Sequence, residues 1–280
     1  MARRNWIPPS VDVSVPNIAR IYDYLLGGAH NFAVDRELAT QVERVRPDSR
    51  SVVRVSRSFL ARCVRFMVGQ GIRQFLDIGS GIPTVANVHE VAQDAAPECR
   101  VLYVDKDPIA VAHSELMLAN NDRARIVHAD MHDPDSILDH PQTRALLDFD
   151  RPIGLLVLLM LHWQPDESEP WKAMARYREA LAPGSYLAIT HVSADNQDLT
   201  LTEVTDLIKA SRSADQLTER SYEQVLDFFG DFELVEPGLV GCPAWRPTGP
   251  GDMSDAPEAN TLIYGGVARK HDVSRPSSDQ

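Results

Sequence analysis

Asp77, Asp105 and Asp130 each close a short apolar run: Phe75-Leu-Asp77, Val101-Leu-Tyr-Val-Asp105 and Arg125-Ile-Val-His-Ala-Asp130. Acids repeated at the ends of successive parallel strands lie along one carboxyl edge, where open α/β sheets bind their ligands. The first is the most informative. Asp77 leads into Gly79, Ser80 and Gly81, and a helical pattern starts near Val85. Glycines between a strand and a helix let backbone N–H groups approach a ligand that a Cβ would exclude. Dinucleotide sites read G-x-G-x-x-G, with the helix N-terminus facing a pyrophosphate. Here a carboxylate stands two positions before the first glycine, and Thr84 stands where the third glycine would fall. A carboxylate repels a pyrophosphate but suits a cation with an ammonium and a sulfonium, so a nicotinamide oxidoreductase is disfavoured. Asp105 lies 24 residues beyond Gly81, near the roughly 20-residue spacing at which an acid reaches ribose hydroxyls. Asp107 and Asp133 each precede a proline and read as helix N-caps.

Histidines supply the candidate bases. His162 follows the fourth apolar run, in Leu161-His-Trp-Gln-Pro-Asp166, and an imidazole titrating near pH 6.5 can deprotonate a hydroxyl. The competing reading is a structural histidine bonded to backbone at the strand end. His191, closing the fifth run, is a second candidate. Near the N-terminus, Tyr22, Asp23, His30, Asn31 and Asp35 surround the pair Gly27-Gly28, a polar cluster richer than helix packing requires. Its members cap the next helix, or else Tyr22, His30 and Asn31 fold over the sheet edge as a lid. Trp245 and Arg246 are weaker candidates for a second wall.

The elements that must position these groups follow from periodicity. Residues 16–26, 34–46 and 51–68 carry apolar side chains at helical spacing, the first ending at the double glycine. On the third helix, Arg50, Arg54, Arg57, Arg62 and Arg65 fall largely off the apolar stripe and read as a solvated face. From Ile72 the pattern alternates strand and helix, the mark of a parallel sheet. Strands are expected near 73–78, 101–105, 125–129, 153–161, 185–191, 232–236 and 261–268. Helices are expected near 85–96, 108–120, 134–147, 169–182 and 200–228, the last broken around 211–215. The stretch 237–260 is rich in Pro and Gly without periodicity, which suggests a functional lid or disorder. The organisation expected is an arm (1–15), a helical cap region (16–70), a ligand-binding domain (71–269) and a disordered tail (270–280).

The chain has 280 residues, 44% of them hydrophobic, enough for one large core. A net charge of −12 argues against a nucleic-acid partner. Cys63, Cys99 and Cys242 are odd in number and lack ligand spacing, so neither a disulfide nor a metal site is expected. The longest apolar run, 153–161, is half a membrane span and reads as a buried strand. A soluble, cytoplasmic protein is expected.

Two nested resemblances rest on these residues. Positions 71–269 resemble the class I S-adenosylmethionine-dependent methyltransferases. Nearly the whole chain resembles an actinobacterial methyltransferase-like family long catalogued as a domain of unknown function. The latter match rests on Ala19-Arg-Ile-Tyr-Asp-Tyr-Leu-Leu-Gly-Gly-Ala-His-Asn-Phe-Ala-Val-Asp35, Gln74-Phe-Leu-Asp-Ile-Gly-Ser-Gly-Ile-Pro-Thr84 and Asn87-Val-His-Glu90. Pro83 departs from the broad pattern, which has a small residue there. The resemblance implies a Rossmann-like fold, a seven-stranded, mostly parallel sheet with helices on both faces and an N-terminal helical extension. It implies S-adenosylmethionine as cofactor. The resemblance maps Asp77 and the backbone at Gly79 and Gly81 to the cofactor's methionine end, Asp105 to the ribose, and Asp130 with Met131 to the adenine; Ser80 and Lys106, beside these, and Tyr22, His30 and Asn31, where they form the lid, are the further candidate cofactor-binding residues. It also makes Leu161-His162 similar to the Leu-His of methyltransferases that use a histidine base. The expected function is methyl transfer to a small-molecule acceptor; the alternative is a non-catalytic protein that binds the cofactor or its product.

Overall fold

The computed structural model describes residues 12–84, 86–195 and 199–271. Most of the expected arm and all but His271 of the last ten residues lie outside them. Three helices come first: α1 (Ile18–Leu25), α2 (Ala33–Val45) and α3 (Ser49–Gly69). The alternating region follows: β1 (Gln74–Ile78), α4 (Val88–Ala95), β2 (Arg100–Asp105), α5 (Pro108–Leu118), β3 (Ala124–His128), α6 (Pro134–Leu138), α7 (Pro141–Leu146), β4 (Gly154–Leu158), α8 (Pro170–Ala180), β5 (Tyr186–Val192), α9 (Leu199–Ala210) and α10 (Tyr222–Asp227). Three strands close the chain: β6 (Glu233–Leu234), β7 (Val240–Gly241) and β8 (Ile263–Arg269).

The strands form one sheet in the order β3-β2-β1-β4-β5-β8-β6, with β7 also paired to β8. β1 to β5 run parallel; β8 runs antiparallel to β5, β6 and β7. Among the described residues the sheet thus has eight strands rather than the seven expected, because two residues of the late irregular stretch pair as β7. The chain builds outward from β1 on one side and returns through β4 on the other. That reversal opens a crevice at the carboxyl ends of β1 and β4, where such sheets bind ligands.

Side chains alternate between the two faces as a two-residue period requires. Phe75, Val101 and Tyr103 join the core under α3 and α4, while Leu76, Ile78, Leu102 and Val104 join the core under α6, α8 and α10. A third cluster unites Ile21 and Leu25 of α1, Leu38 and Val42 of α2, Val53 of α3, and Val204 and Ile208 of α9. The buried Arg20 Nε and Asp35 Oδ2, 2.8 Å apart, tie α1 to α2.

Several elements depart from the expected outlines. β4 stops at Leu158, three residues early, because Leu159 takes a left-handed φ of 52° and its N–H donates to Thr190 Oγ1 at 2.8 Å. Pro141 splits the helix expected over 134–147, since it cannot donate a helical hydrogen bond. The region 237–260 is not an open lid. Trp245 in it is fully buried against Phe59 and Phe66, and Arg246 stacks on Phe66. Arg62, expected in solvent, is buried. It donates to the Trp245 and Cys242 carbonyls at 2.9 and 2.7 Å and pairs with Asp252 at 2.7 Å. These bonds fasten the late segment to α3.

Candidate functional site

A cavity of about 290 Å³ opens at the carboxyl ends of β1, β2 and β4, close to the lower end of the ~300–1,000 Å³ common for small-molecule sites. Asp77 lines it from the end of β1, Gly79, Ser80 and Gly81 from the turn that follows, Asp105 and Lys106 from the end of β2, Met131 from beyond β3, and Met160 and His162 from beyond β4. Tyr22 of α1 and Arg57 of α3 close it from the helical side.

The glycine turn is shaped by close approach on one side and open space on the other. Gly79 and Gly81 have φ of 72° and 67°, a region costly for other residues. A Cβ on Gly79 would lie 2.5 Å from Met160 Sδ, whereas one on Gly81 would meet nothing within 4 Å. The turn is tied across to β2. Gly79 and Ser80 N–H groups donate to the Val104 carbonyl at 2.8 and 3.1 Å, and Gly81 N–H donates to Asp105 Oδ2 at 2.7 Å. Asp105 Oδ1 accepts from Asp107 N–H at 2.8 Å, while Asp107 caps α5 through Ile109 N–H at 2.7 Å. Asp133 likewise caps α6.

Two acids stand buried in this mouth. Burial pushes Asp77 up to about 7; neighbouring Asp105 reinforces the shift and Arg57 opposes it. Among the described residues, no group donates a hydrogen bond to the Asp77 carboxylate. Burial likewise raises Asp105 to about 6, against the stabilising N–H bonds of Asp107 and Gly81. A cation brought beside these two carboxylates would favour their ionised forms and lower both values. Burial also holds the Tyr22 phenol near 12, so it stays protonated and able to donate.

Beyond β4, His162 sits in a 3₁₀ turn, Leu161–Trp163. Arg220 pins the turn by donating to the Leu161 and Gln164 carbonyls at 2.9 and 2.8 Å, and is itself held by Asp166 at 2.6 Å. His162 is only 3% exposed, its Nδ1 has no hydrogen-bond partner, and burial, then His191 and Arg220, pull its pKa well below 6.5. The ring is therefore neutral at physiological pH. His191 does not line the cavity, and both its nitrogens are engaged. Nδ1 lies 2.7 Å from the Val192 carbonyl and Nε2 lies 2.9 Å from Arg220 Nη1. Because guanidinium only donates, Nδ1 carries the proton and Nε2 accepts. No nitrogen of His191 is left for base catalysis.

Not every candidate reaches the cavity. His30 and Asn31 lie outside its lining: Asp23 Oδ2 accepts from His30 N–H at 2.8 Å and from Asn31 Nδ2 at 2.9 Å. Asp35 accepts from Phe32 N–H at 2.8 Å and Asn17 N–H at 3.0 Å. A side chain on Gly28 would collide with the Asp23 carboxylate. Most of the polar signature therefore builds the corner between α1 and α2, and Tyr22 is its member that faces the cavity. Asp130 is exposed, accepts from His132 N–H at 2.9 Å and also lies outside the lining, while Met131 beside it is part of the wall. Arg57 was missed. Its spacing with Val53, Leu60 and Val64 puts it on the buried stripe of α3, a signal that its charge obscures. Among the described residues no His, Cys, Asp and Glu group suits a metal ion, and no helix is long and apolar enough to cross a membrane.

Comparison with known proteins agrees with this geometry. Residues 4–271 match the family described as S-adenosyl methyltransferase. A Thermobifida fusca YX protein named as a candidate methyltransferase is 39% identical over 96% of this chain and 100% of its own, with a TM-score of 0.88. A DUF574 family protein from Streptomyces avermitilis MA-4680 is 38% identical over 92% of this chain and 99% of its own, also at 0.88. The plantazolicin methyltransferase BpumL, in complex with SAH, shares the fold alone, with 12% identity over 90% of this chain and 95% of its own and a TM-score of 0.51. None of the curated proteins matches. The acid-led glycine turn, the reversal of strand order beside it and the match over nearly the whole length have one explanation: the chain belongs to the S-adenosyl methyltransferase family, whose cofactor is S-adenosylmethionine.

Proposed function

We propose that this protein transfers the methyl group of S-adenosylmethionine to a small molecule held between the sheet edge and the N-terminal helices. The observation that carries the proposal is a single cavity joining the carboxylate-bearing glycine turn to His162, a neutral and unbonded imidazole. Asp77 meets the cofactor ammonium, and the open side of Gly81 with Ser80 admits the methionine end. Asp105 and Lys106 hold the ribose; Met131 packs on the adenine, with Asp130 at its edge. Tyr22 donates a hydrogen bond from the helical side, and Arg57 sets the potential at Asp77. His30 and Asn31 act indirectly, through the Asp23 network that orients α1. Bound there, the cofactor supplies a methyl group already attached to a positively charged leaving group, so the protein's share is position, exclusion of water and a proton acceptor. His162 is the acceptor: its low pKa leaves it unprotonated, and its burial removes competing water. In this arrangement residues 16–70 cap the 71–269 domain and wall the acceptor side.

The test is to incubate the purified protein with S-adenosylmethionine and pools of small metabolites and to follow S-adenosylhomocysteine by mass spectrometry. Product should accumulate with at least one pool and fall sharply for His162→Gln. Absence of product from every pool, with the cofactor demonstrably bound, would contradict the proposal.

A further inference from the structure

The cavity does not end at the sheet edge. Its lining also takes in α1, α3 and α9, where Ile21, Leu25, Val53, Val204 and Ile208, with Trp163, form apolar walls. These side chains also pack on one another as the third apolar cluster, which holds the walls in place without a ligand. Three polar groups of this lining, Arg46, Ser49 and Asn17, have partners within the protein. Arg46 bonds Thr200 Oγ1 at 2.9 Å, Ser49 Oγ donates to the Arg46 carbonyl at 2.5 Å, and Asn17 Oδ1 accepts from Arg20 N–H at 3.2 Å. The Nδ1 of His162, which lines the same cavity, has none.

A site built in this way asks for a ligand polar at one end and apolar over the rest. A polyhydroxylated or charged acceptor would bury polar groups against these apolar walls without partners, which opposes its binding. We infer that the methyl acceptor is a predominantly apolar molecule with a hydroxyl at one end, the hydroxyl beside His162 and the hydrocarbon between α1, α3 and α9. The inference rests on the proposed methyltransferase function and adds to it the chemical class of the acceptor.

Primary alcohols from hexanol to dodecanol test it, each titrated calorimetrically into the full-length protein saturated with S-adenosylhomocysteine. Affinity should rise up to about fourfold for each added methylene, the value for full transfer out of water, until the apolar part of the cavity is filled. Val204→Trp, which fills the space, should weaken alcohol binding at least tenfold and leave the affinity for S-adenosylhomocysteine unchanged. Ile208→Phe should produce a smaller loss of the same kind. Affinity independent of chain length overturns the inference even if neither variant folds. So does binding that is unaffected in folded variants. Failure of S-adenosylhomocysteine to bind the wild-type protein overturns the underlying function, and the acceptor class with it; this outcome is read separately, in the first titration.

Discussion

Cofactor affinity should fall steeply between pH 8 and pH 6, and Asp77 should account for most of the loss. Its carboxyl titrates at about 7 because it is buried, and the proposed contact with the cofactor ammonium requires the ionised form. A group of pKa 7 is about 90% ionised at pH 8 and about 10% at pH 6, so affinity drops about tenfold. Asp105, raised to about 6, is half ionised at pH 6 and contributes about another twofold. The sign is fixed by linkage: the bound ammonium favours the carboxylate, so binding releases a proton, and affinity is fully present above 7 and lost as pH falls through it. Stability of the ligand-free protein runs the other way. The folded value exceeds the ordinary 3.8, so Asp77 opposes folding above pH 7, and that opposition fades as pH falls from 7 toward 4. S-adenosylhomocysteine should be titrated at pH 6, 7 and 8 into wild type and Asp77→Asn, in two buffers of different ionisation enthalpy. Wild type should weaken about 15- to 20-fold from pH 8 to 6, with proton release. The variant should bind weakly throughout, retain only the smaller Asp105 dependence and melt at a higher temperature at pH 8. A wild-type affinity flat across this range, or an equal slope in the variant, would refute the role of Asp77.

Three further outcomes are expected. Asp105→Ala should lower cofactor affinity about 10- to 150-fold, the equivalent of one charge-assisted bond worth about 1.5–3 kcal/mol. An unchanged dissociation constant in calorimetry would remove Asp105 from the site. Asp35→Ala strands Arg20 in the corner between α1 and α2 and should destabilise the protein by about 3–5 kcal/mol in urea unfolding. A loss under about 1 kcal/mol would make the buried pair incidental. His162→Gln should bind S-adenosylhomocysteine normally but transfer methyl about 10²- to 10⁴-fold more slowly. If binding and turnover fell together, His162 would belong to the cofactor pocket rather than act as a base.

What the amino-acid sequence determined by itself was local and periodic. The apolar runs ending in Asp77 and Asp105, the glycine turn and the Asp-Pro caps each depend on a few neighbouring residues, so the parallel sheet and its ligand edge were legible without coordinates. The tertiary structure decided which polar groups face the ligand, because that depends on what packs across from them. Arg57 and Arg62 share one arginine-rich helix, yet the first lines the cavity and the second is buried under the late segment, whose Trp245 and Cys242 carbonyls, 183 and 180 residues away in sequence, accept its hydrogen bonds. His30 and Asn31 look like site residues until Asp23 is seen to bind both. His162 and His191 both stand at the ends of apolar runs, and the tertiary structure separates them: the Val192 carbonyl and Arg220 engage both nitrogens of His191, whereas His162 lines the cavity and its Nδ1 has no partner. Periodicity records which side of an element is buried; it carries no record of the distant group that meets it there.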